Sequence, residues 1–120
     1  MPTSSTSMPF RLSEADGRIT LQFHRFTALD SSNVDDVGDA ILSVLEDRVE
    51  PDLWLDLASI SFLTSMALSK FLTVDSRARA LGGRLTLINL KPDIRKVFKV
   101  SRLDQVLNIR EGAATEALAG

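Results

Sequence analysis

Leu53, Leu55 and Leu57 alternate with Trp54 and Asp56, a two-residue period that places successive side chains on opposite faces of a strand. A short apolar loop follows, and the spacing then lengthens. From Ala67 the apolar positions fall at Phe71, Val74, Ala78 and Leu81, widened by Leu68 and Leu72, while Lys70, Asp75, Arg77 and Arg79 mark a wet side. That is the spacing of an amphipathic helix. Thr64 and Ser65 stand at its start, where a hydroxyl can accept the unpaired N–H groups of a first turn. Gly82-Gly83 stand after Leu81, where a helix stops. The rest of the chain is arranged around this strand and helix.

Upstream, Phe10–Ala15 predicts a first strand, Asp16-Gly17 a hairpin turn, and Ile19, Leu21 and Phe23 a second strand antiparallel to the first. The second strand is expected to run through His24 toward Phe26. A polar connection over 27–32 ends in Ser31-Ser32-Asn33, any of which can cap the helix carrying Val34, Val37, Ile41, Val44 and Leu45. Asp35, Asp36 and Asp39 suit its positive end; Arg48 suits its other end, and Pro51 marks the exit. Downstream, Arg84–Leu90 predicts a strand, Pro92 opens a third helix with Ile94, Val97 and Phe98 inward, and Leu103–Ile109 predicts a last strand. Ala113–Leu118 offers a weak terminal helix.

The order β-β-α-β-α-β-α-β is that of an α/β domain with a mixed sheet. Because the strands alternate instead of being continuously apolar, the helices are expected mainly on one face. Thr20, Gln22, His24, Trp54, Asp56 and Thr86 then line the less covered face, with Trp54 packed against it.

Length and composition narrow the function. A chain of 120 residues supports one domain. Residues 1–9, rich in Ser, Thr and Pro, are expected to be a disordered leader without the features of a signal peptide. No run approaches the roughly 18 apolar residues of a membrane helix, so no membrane insertion is expected. The absence of cysteine excludes disulfides, zinc–thiolate sites and a Cys nucleophile, and fits a cytoplasmic setting. A single histidine, His24, makes no multi-histidine metal site and no Ser-His pair; no cofactor or metal is expected. A net charge of −2 gives no general attraction to nucleic acid. Lys91, Arg95, Lys96, Lys99 and Arg102 form a basic cluster without interleaved aromatics, which reads as a solvated face. Asp30 and Asp56 are the one candidate carboxylate pair, expected to have separate structural roles. No Walker loop, dinucleotide fingerprint or nucleophile elbow is present, and no enzyme can be assembled.

Leu-Asp-Leu-Ala-Ser-Ile-Ser-Phe-Leu-Thr-Ser-Met-Ala-Leu at 55–68, the helix ending Ala-Leu-Gly-Gly-Arg-Leu at 80–85, and Lys-Pro-Asp-Ile-Arg-Lys-Val-Phe-Lys-Val-Ser-Arg-Leu-Asp at 91–104 together resemble the STAS family, the bacterial anti-sigma factor antagonists. Leu29-Asp30 matches the Leu-Asp of that family's Gly-Glu-Leu-Asp segment, and the resemblance spans about residues 10–118. It implies a protein-binding regulator, monomeric, that docks an anti-sigma factor (a kinase-like ATPase) and releases a sigma factor. In that family a Ser in an Asp-Ser-Ser/Thr-Gly setting is phosphorylated by the anti-sigma factor, and the setting falls here on Thr64, Ser65, Met66 and Ala67. Only the Ser is kept. The resemblance thus implies phosphorylation at Ser65, with Thr64 as the alternative. It implies partner contacts from Leu29, Asp30, Ser31, Ser32, Asn33, Thr64, Ser65, Met66, Ala67, Leu68 and Ser69. STAS-like domains also act as accessory subunits of transporters and other signalling complexes without a phospho-switch, and the loss of the Asp at Thr64 keeps that reading open.

Overall fold

Asp16 and Gly17 take positive φ values of 54° and 81°, the backbone a tight two-residue hairpin turn requires. They fold β1 (Phe10–Ala15) antiparallel onto β2 (Arg18–Phe23), with Phe10 opposite Phe23 and Leu12 opposite Leu21. In this computed structural model, which describes residues 10–23 and 27–110, β2 is followed by a two-residue strand β3 (Ala28–Leu29) and helix α1 (Val34–Leu45). Strand β4 (Asp52–Asp56) leads to another two-residue strand, β5 (Phe62–Leu63), and to α2 (Ser65–Ala80). The chain then forms β6 (Arg84–Ile88), α3 (Pro92–Val100), a single 3₁₀ turn at Leu103–Gln105, and β7 (Asn108–Arg110). His24, Phe26, the leader over 1–9 and the terminal helix expected at Ala113–Leu118 lie outside the described residues.

The main sheet runs β1-β2-β4-β6-β7, parallel except for the first pair, as expected of a mixed α/β sheet. One core holds Ile19, Leu21, Leu53, Leu55, Leu85 and Leu87 from the strands together with Ile41 of α1, Phe71 and Val74 of α2, and Ile94 and Phe98 of α3. Phe71 and Phe98 stack with ring centroids 6.2 Å apart, tying α2 to α3. The helices therefore share one face.

The opposite face is closed by its own side chains more than the alternation implied. Gln22 is exposed, but Trp54, Asp56 and Thr86 are only 6%, 9% and 1% accessible. Among the described residues the Arg18 guanidinium lies 3.8 Å above the Trp54 ring, Gln22 reaches Asp56 at 3.5 Å, and the Asn108 amide donates to the Thr86 hydroxyl at 2.9 Å. Long polar side chains on a flat sheet cover apolar surface with their stems.

The expected strand over Leu103–Ile109 is a correction. Arg102 has a φ of 64°, Leu103–Gln105 form the 3₁₀ turn, and pairing with β6 begins only at Asn108. Val106, expected inward, is 52% exposed.

The end of α2 explains its two glycines. Gly82 N–H donates to Arg79 O at 2.9 Å and Gly83 N–H to Ala78 O at 2.8 Å, a Schellman closure with Gly82 at φ 85°. Gly83 is needed for a different reason. A Cβ there would collide with the Pro51 backbone, whose carbonyl accepts from Arg84 N–H at 2.9 Å as β6 starts beside β4.

Candidate functional site

The site grows from a miniature sheet whose two-residue strands carry no readable period. Leu29 pairs with Leu63 and Ala28 with Phe62, in parallel. Ser61 N–H donates to Thr27 O at 2.7 Å and Thr64 N–H to Leu29 O at 3.1 Å. These bonds hold the 27–33 connection beside the first turn of α2. One side of the little sheet points inward: Leu29 and Leu63 are 1% and 8% exposed. Since β5 is pleated, Phe62 must then point outward, and it is 55% exposed.

Thr64 is the N-cap of α2. Its backbone is extended, with φ −94° and ψ 168°; its hydroxyl accepts from Ala67 N–H at 3.4 Å and donates to Leu29 O at 3.4 Å. The capping role is thus filled by Thr64, leaving Ser65 as the first helical residue. Ser65 is exposed, and its hydroxyl has no hydrogen-bond partner among the described residues. The first turn of α2 contains no acidic residue, so its positive end is uncompensated within the helix.

The connection is held from within. Asp30 Oδ1 accepts from Ser32 N–H at 2.9 Å and from the Ser32 hydroxyl at 2.6 Å. Those bonds, the hydroxyl first, lower the Asp30 carboxyl below its ordinary value of 3.8. Asn33 Oδ1 accepts from Asp30 N–H at 3.0 Å, and Asn33 Nδ2 donates to Ala28 O at 2.9 Å. Asp56 is engaged elsewhere, accepting from Ala58 N–H at 2.9 Å and from Gln22. The two carboxylates share no partner.

Of the residues expected at a contact surface, Ser31, Ser32, Ser65, Met66 and Ser69 are exposed; Asp30, Asn33, Thr64 and Leu68 are half-buried. Leu29 and Ala67 are 1% and 0% exposed, so they support that surface from beneath and do not form it. Met66 is 48% exposed and stands with Ser69, Lys70 and Thr73 of α2 and with Val34 and Asp35 of α1 around a groove of about 230 Å³. Lys70 crosses between the helices to Asp35 at 3.3 Å, and Gly38 leaves room for it, since a Cβ there would collide with the Lys70 stem. Phe62 is the surface residue that motif reasoning passed over. The signal was present in Phe62-Leu63, two adjacent large apolar residues in an extended segment, of which one must face water. Among the described residues no group of three or more His, Cys, Asp or Glu side chains is placed to hold a metal ion, and no helix is long and apolar enough to cross a membrane.

A family model described as Mlab, STAS domain matches residues 10–110. The chain belongs to the STAS family. BtrV of Bordetella bronchiseptica, which carries the name of an anti-sigma factor antagonist, is 34% identical over 89 residues, 72% of this chain and 76% of BtrV. Two solved STAS-like folds are close in shape. An anti-sigma-factor antagonist (STAS) domain protein from Planctomyces limnophilus superposes with a TM-score of 0.79 at 18% identity, over 92% of this chain and 95% of that one. The Bacillus cell fate determinant SpoIIAA in its phosphorylated form gives 0.66 at 23% identity, over 92% and 96%. At those identities the likeness concerns the fold. The relationship to BtrV places this STAS protein among the anti-sigma factor antagonists by descent.

Proposed function

We propose that this STAS protein is a cytoplasmic, non-catalytic regulator that docks an anti-sigma factor through the first turns of α2 and the adjoining 30–33 connection, and thereby releases a sigma factor. The observation that carries the reading is the coincidence of exposed Phe62 and Met66 with exposed Ser65 at an uncompensated helix N-terminus. Two exposed large apolar side chains flanking one turn supply the kind of anchor that dominates protein interfaces. Ser65 supplies the switch. A phosphoserine adds roughly −1.5 to −2 charges near neutral pH, and the anti-sigma factor's kinase activity is the proposed source. SpoIIAA, whose fold this chain shares, exists in a phosphorylated form.

The test is a titration of the purified protein against the proposed anti-sigma factor partner. Phe62→Asp and Met66→Asp should each weaken binding about thirtyfold, the loss of roughly 2 kcal/mol of anchor. Val100→Asp, which alters a 78% exposed apolar residue on α3, should bind as wild type. Loss of affinity in the Val100 variant alone would refute the assigned surface.

A further inference from the structure

On the open face of the sheet, at the end opposite α2's first turn, the strand register aligns Arg18, Asp52 and Arg84 in one row and Thr20, Trp54, Thr86 and Asn108 in the next. Asp52 is engaged within this group. Its Oδ1 accepts from the Trp54 indole N–H at 2.8 Å, and its Oδ2 lies 3.9 Å from Arg18 Nε. Arg18 is stacked on the indole, 3.8 Å from its centroid. Arg110 reaches the same ring from β7, with its guanidinium carbon 5.9 Å from the centroid. Neither Arg84 nor Arg110 has a carboxylate partner among the described residues. Both border an open cavity of about 450 Å³ whose lining also includes Trp54, Thr86, Pro51 and the Gly82-Gly83 turn.

Among the described residues three guanidinium groups and two carboxylates, Glu50 and Asp52, line this cavity, a charge of 3 − 2 = +1, while the full chain carries a net charge of −2. Positive charge is concentrated here against the average of the molecule. An exposed arginine on a solvated face usually needs no explanation. Two that lack a carboxylate partner among the described residues and border one cavity, beside a third stacked on Trp54, are arranged as a receptor. Guanidinium presents parallel N–H donors that match the paired oxygens of a phosphate. The indole face is already covered by Arg18, which leaves no platform for an aromatic ring to stack on.

We propose that this cavity binds a small diphosphate-type anion, with Arg84 and Arg110 as its two forks and Trp54 as the wall that holds Arg18 in position. The site is separate from the α2 docking surface and does not depend on it. Trp54 is the only tryptophan, so its emission reports directly on the cations around its ring. The experiment titrates the full chain with inorganic pyrophosphate at constant ionic strength, following both Trp54 fluorescence and melting temperature, with sodium chloride and citrate as parallel arms. The expected result is a saturable emission change and a rise in melting temperature with pyrophosphate. Arg84→Ala and Arg110→Ala should each weaken it about tenfold, as loss of a charge-assisted pair does. Both residues are exposed, so both variants are expected to fold. Arg84→Lys keeps the charge but loses the fork and should fall between. No response by either readout, equal responses to chloride, or unchanged affinity in both alanine variants would overturn the proposal. Equal binding of citrate would overturn its assignment to phosphate.

Discussion

At the start of α1, the Asn33 side chain turns back into the loop, accepting from Asp30 N–H and donating to Ala28 O, while Asp35 and Asp36 place negative charge in the first turn. At the start of α2, the Thr64 side chain turns forward and caps the helix itself, and no acidic residue follows in the first turn. The two ends lie beside one another, joined by the β3–β5 pairing and by Lys70 reaching Asp35. The α1 end has no side-chain cap, but Asp30 O accepts from Asn33 N–H at 3.1 Å and from Val34 N–H at 2.9 Å, and its dipole faces two carboxylates. The α2 end is stabilised only as far as Thr64 takes it. Its remaining positive potential lies open at Ser65, where an added phosphate meets no built-in opponent on the helix. One end carries its own carboxylates, and the other has none in its first turn.

Breaking the loop side of that comparison should have the largest effect on stability. Asn33→Ala leaves Asp30 N–H and Ala28 O without their side-chain partners, a change expected to cost about 1–3 kcal/mol in urea unfolding. Asn33→Asp keeps the acceptor and loses the donor, so it should be milder; an Asn33→Ala protein as stable as wild type would show that the loop is not held this way. Next comes the α2 cap. Thr64→Ala should cost about 1 kcal/mol, within a range of about 0.5–2, whereas Thr64→Asp should be neutral or stabilising because it caps and also complements the dipole. Equal losses in both variants would mean that the hydroxyl–Leu29 O bond, not the cap, matters. Smaller still is Asp36→Asn, expected to cost about 0.3–1 kcal/mol at low salt and less at high salt. A loss independent of salt would contradict a dipole origin.

The loop also has a pH signature. The folded Asp30 carboxyl is held below its ordinary value of 3.8, chiefly by the Ser32 hydroxyl and then by Ser32 N–H. A lowered folded value means the contribution is fully present above pH 3.8 and is lost as pH falls through the lower folded value. The Ser32 amide resonance should therefore shift with a midpoint below 3.8, and a midpoint at or above it would contradict the hydrogen bonds to Asp30.

Much of this arrangement was legible in the chain. The period of Leu53–Leu57, the hydroxyl at Thr64 and the Gly82-Gly83 stop predicted β4 and the bounds of α2 closely, because long elements repeat their period enough times to be read. The two-residue strands β3 and β5 contain a single repeat each and carry no period, so the sheet that brings the 27–33 connection to the site was invisible. The last strand was misplaced for a local reason: the positive φ at Arg102 turns the chain, and nothing in Ser101-Arg102-Leu103 demands that conformation. Trp54 was placed on the correct face, but its burial depends on Arg18, which is 36 residues earlier in sequence and adjacent only through the β2–β4 pairing. At the site itself, hydroxyl-rich Thr64-Ser65 could be read as a cap, yet which of the two caps and which stays free is decided by the bond from Thr64 N–H to Leu29 O.

The central claim, that the α2 end accepts charge while the proposed docking surface does not, is tested most directly at Ser65, where the expected stability effect is as small as that at Asp36. Wild type, Ser65→Ala and Ser65→Asp should be compared in melting temperature and in affinity for the anti-sigma factor. A carboxylate at the first position of α2 faces the positive end of the dipole, so Ser65→Asp should be stable to within about 0.3–1 kcal/mol of wild type, on the favourable side. Burying that charge against Phe62, Met66 and an apolar partner patch without new donors should cost several kcal/mol, and a loss of about 4 kcal/mol weakens binding about a thousandfold. The account predicts normal binding for Ser65→Ala and strongly weakened binding for a fully folded Ser65→Asp. Equal affinity in all three proteins, or a Ser65→Asp protein that binds weakly only because it has lost its fold, would contradict it.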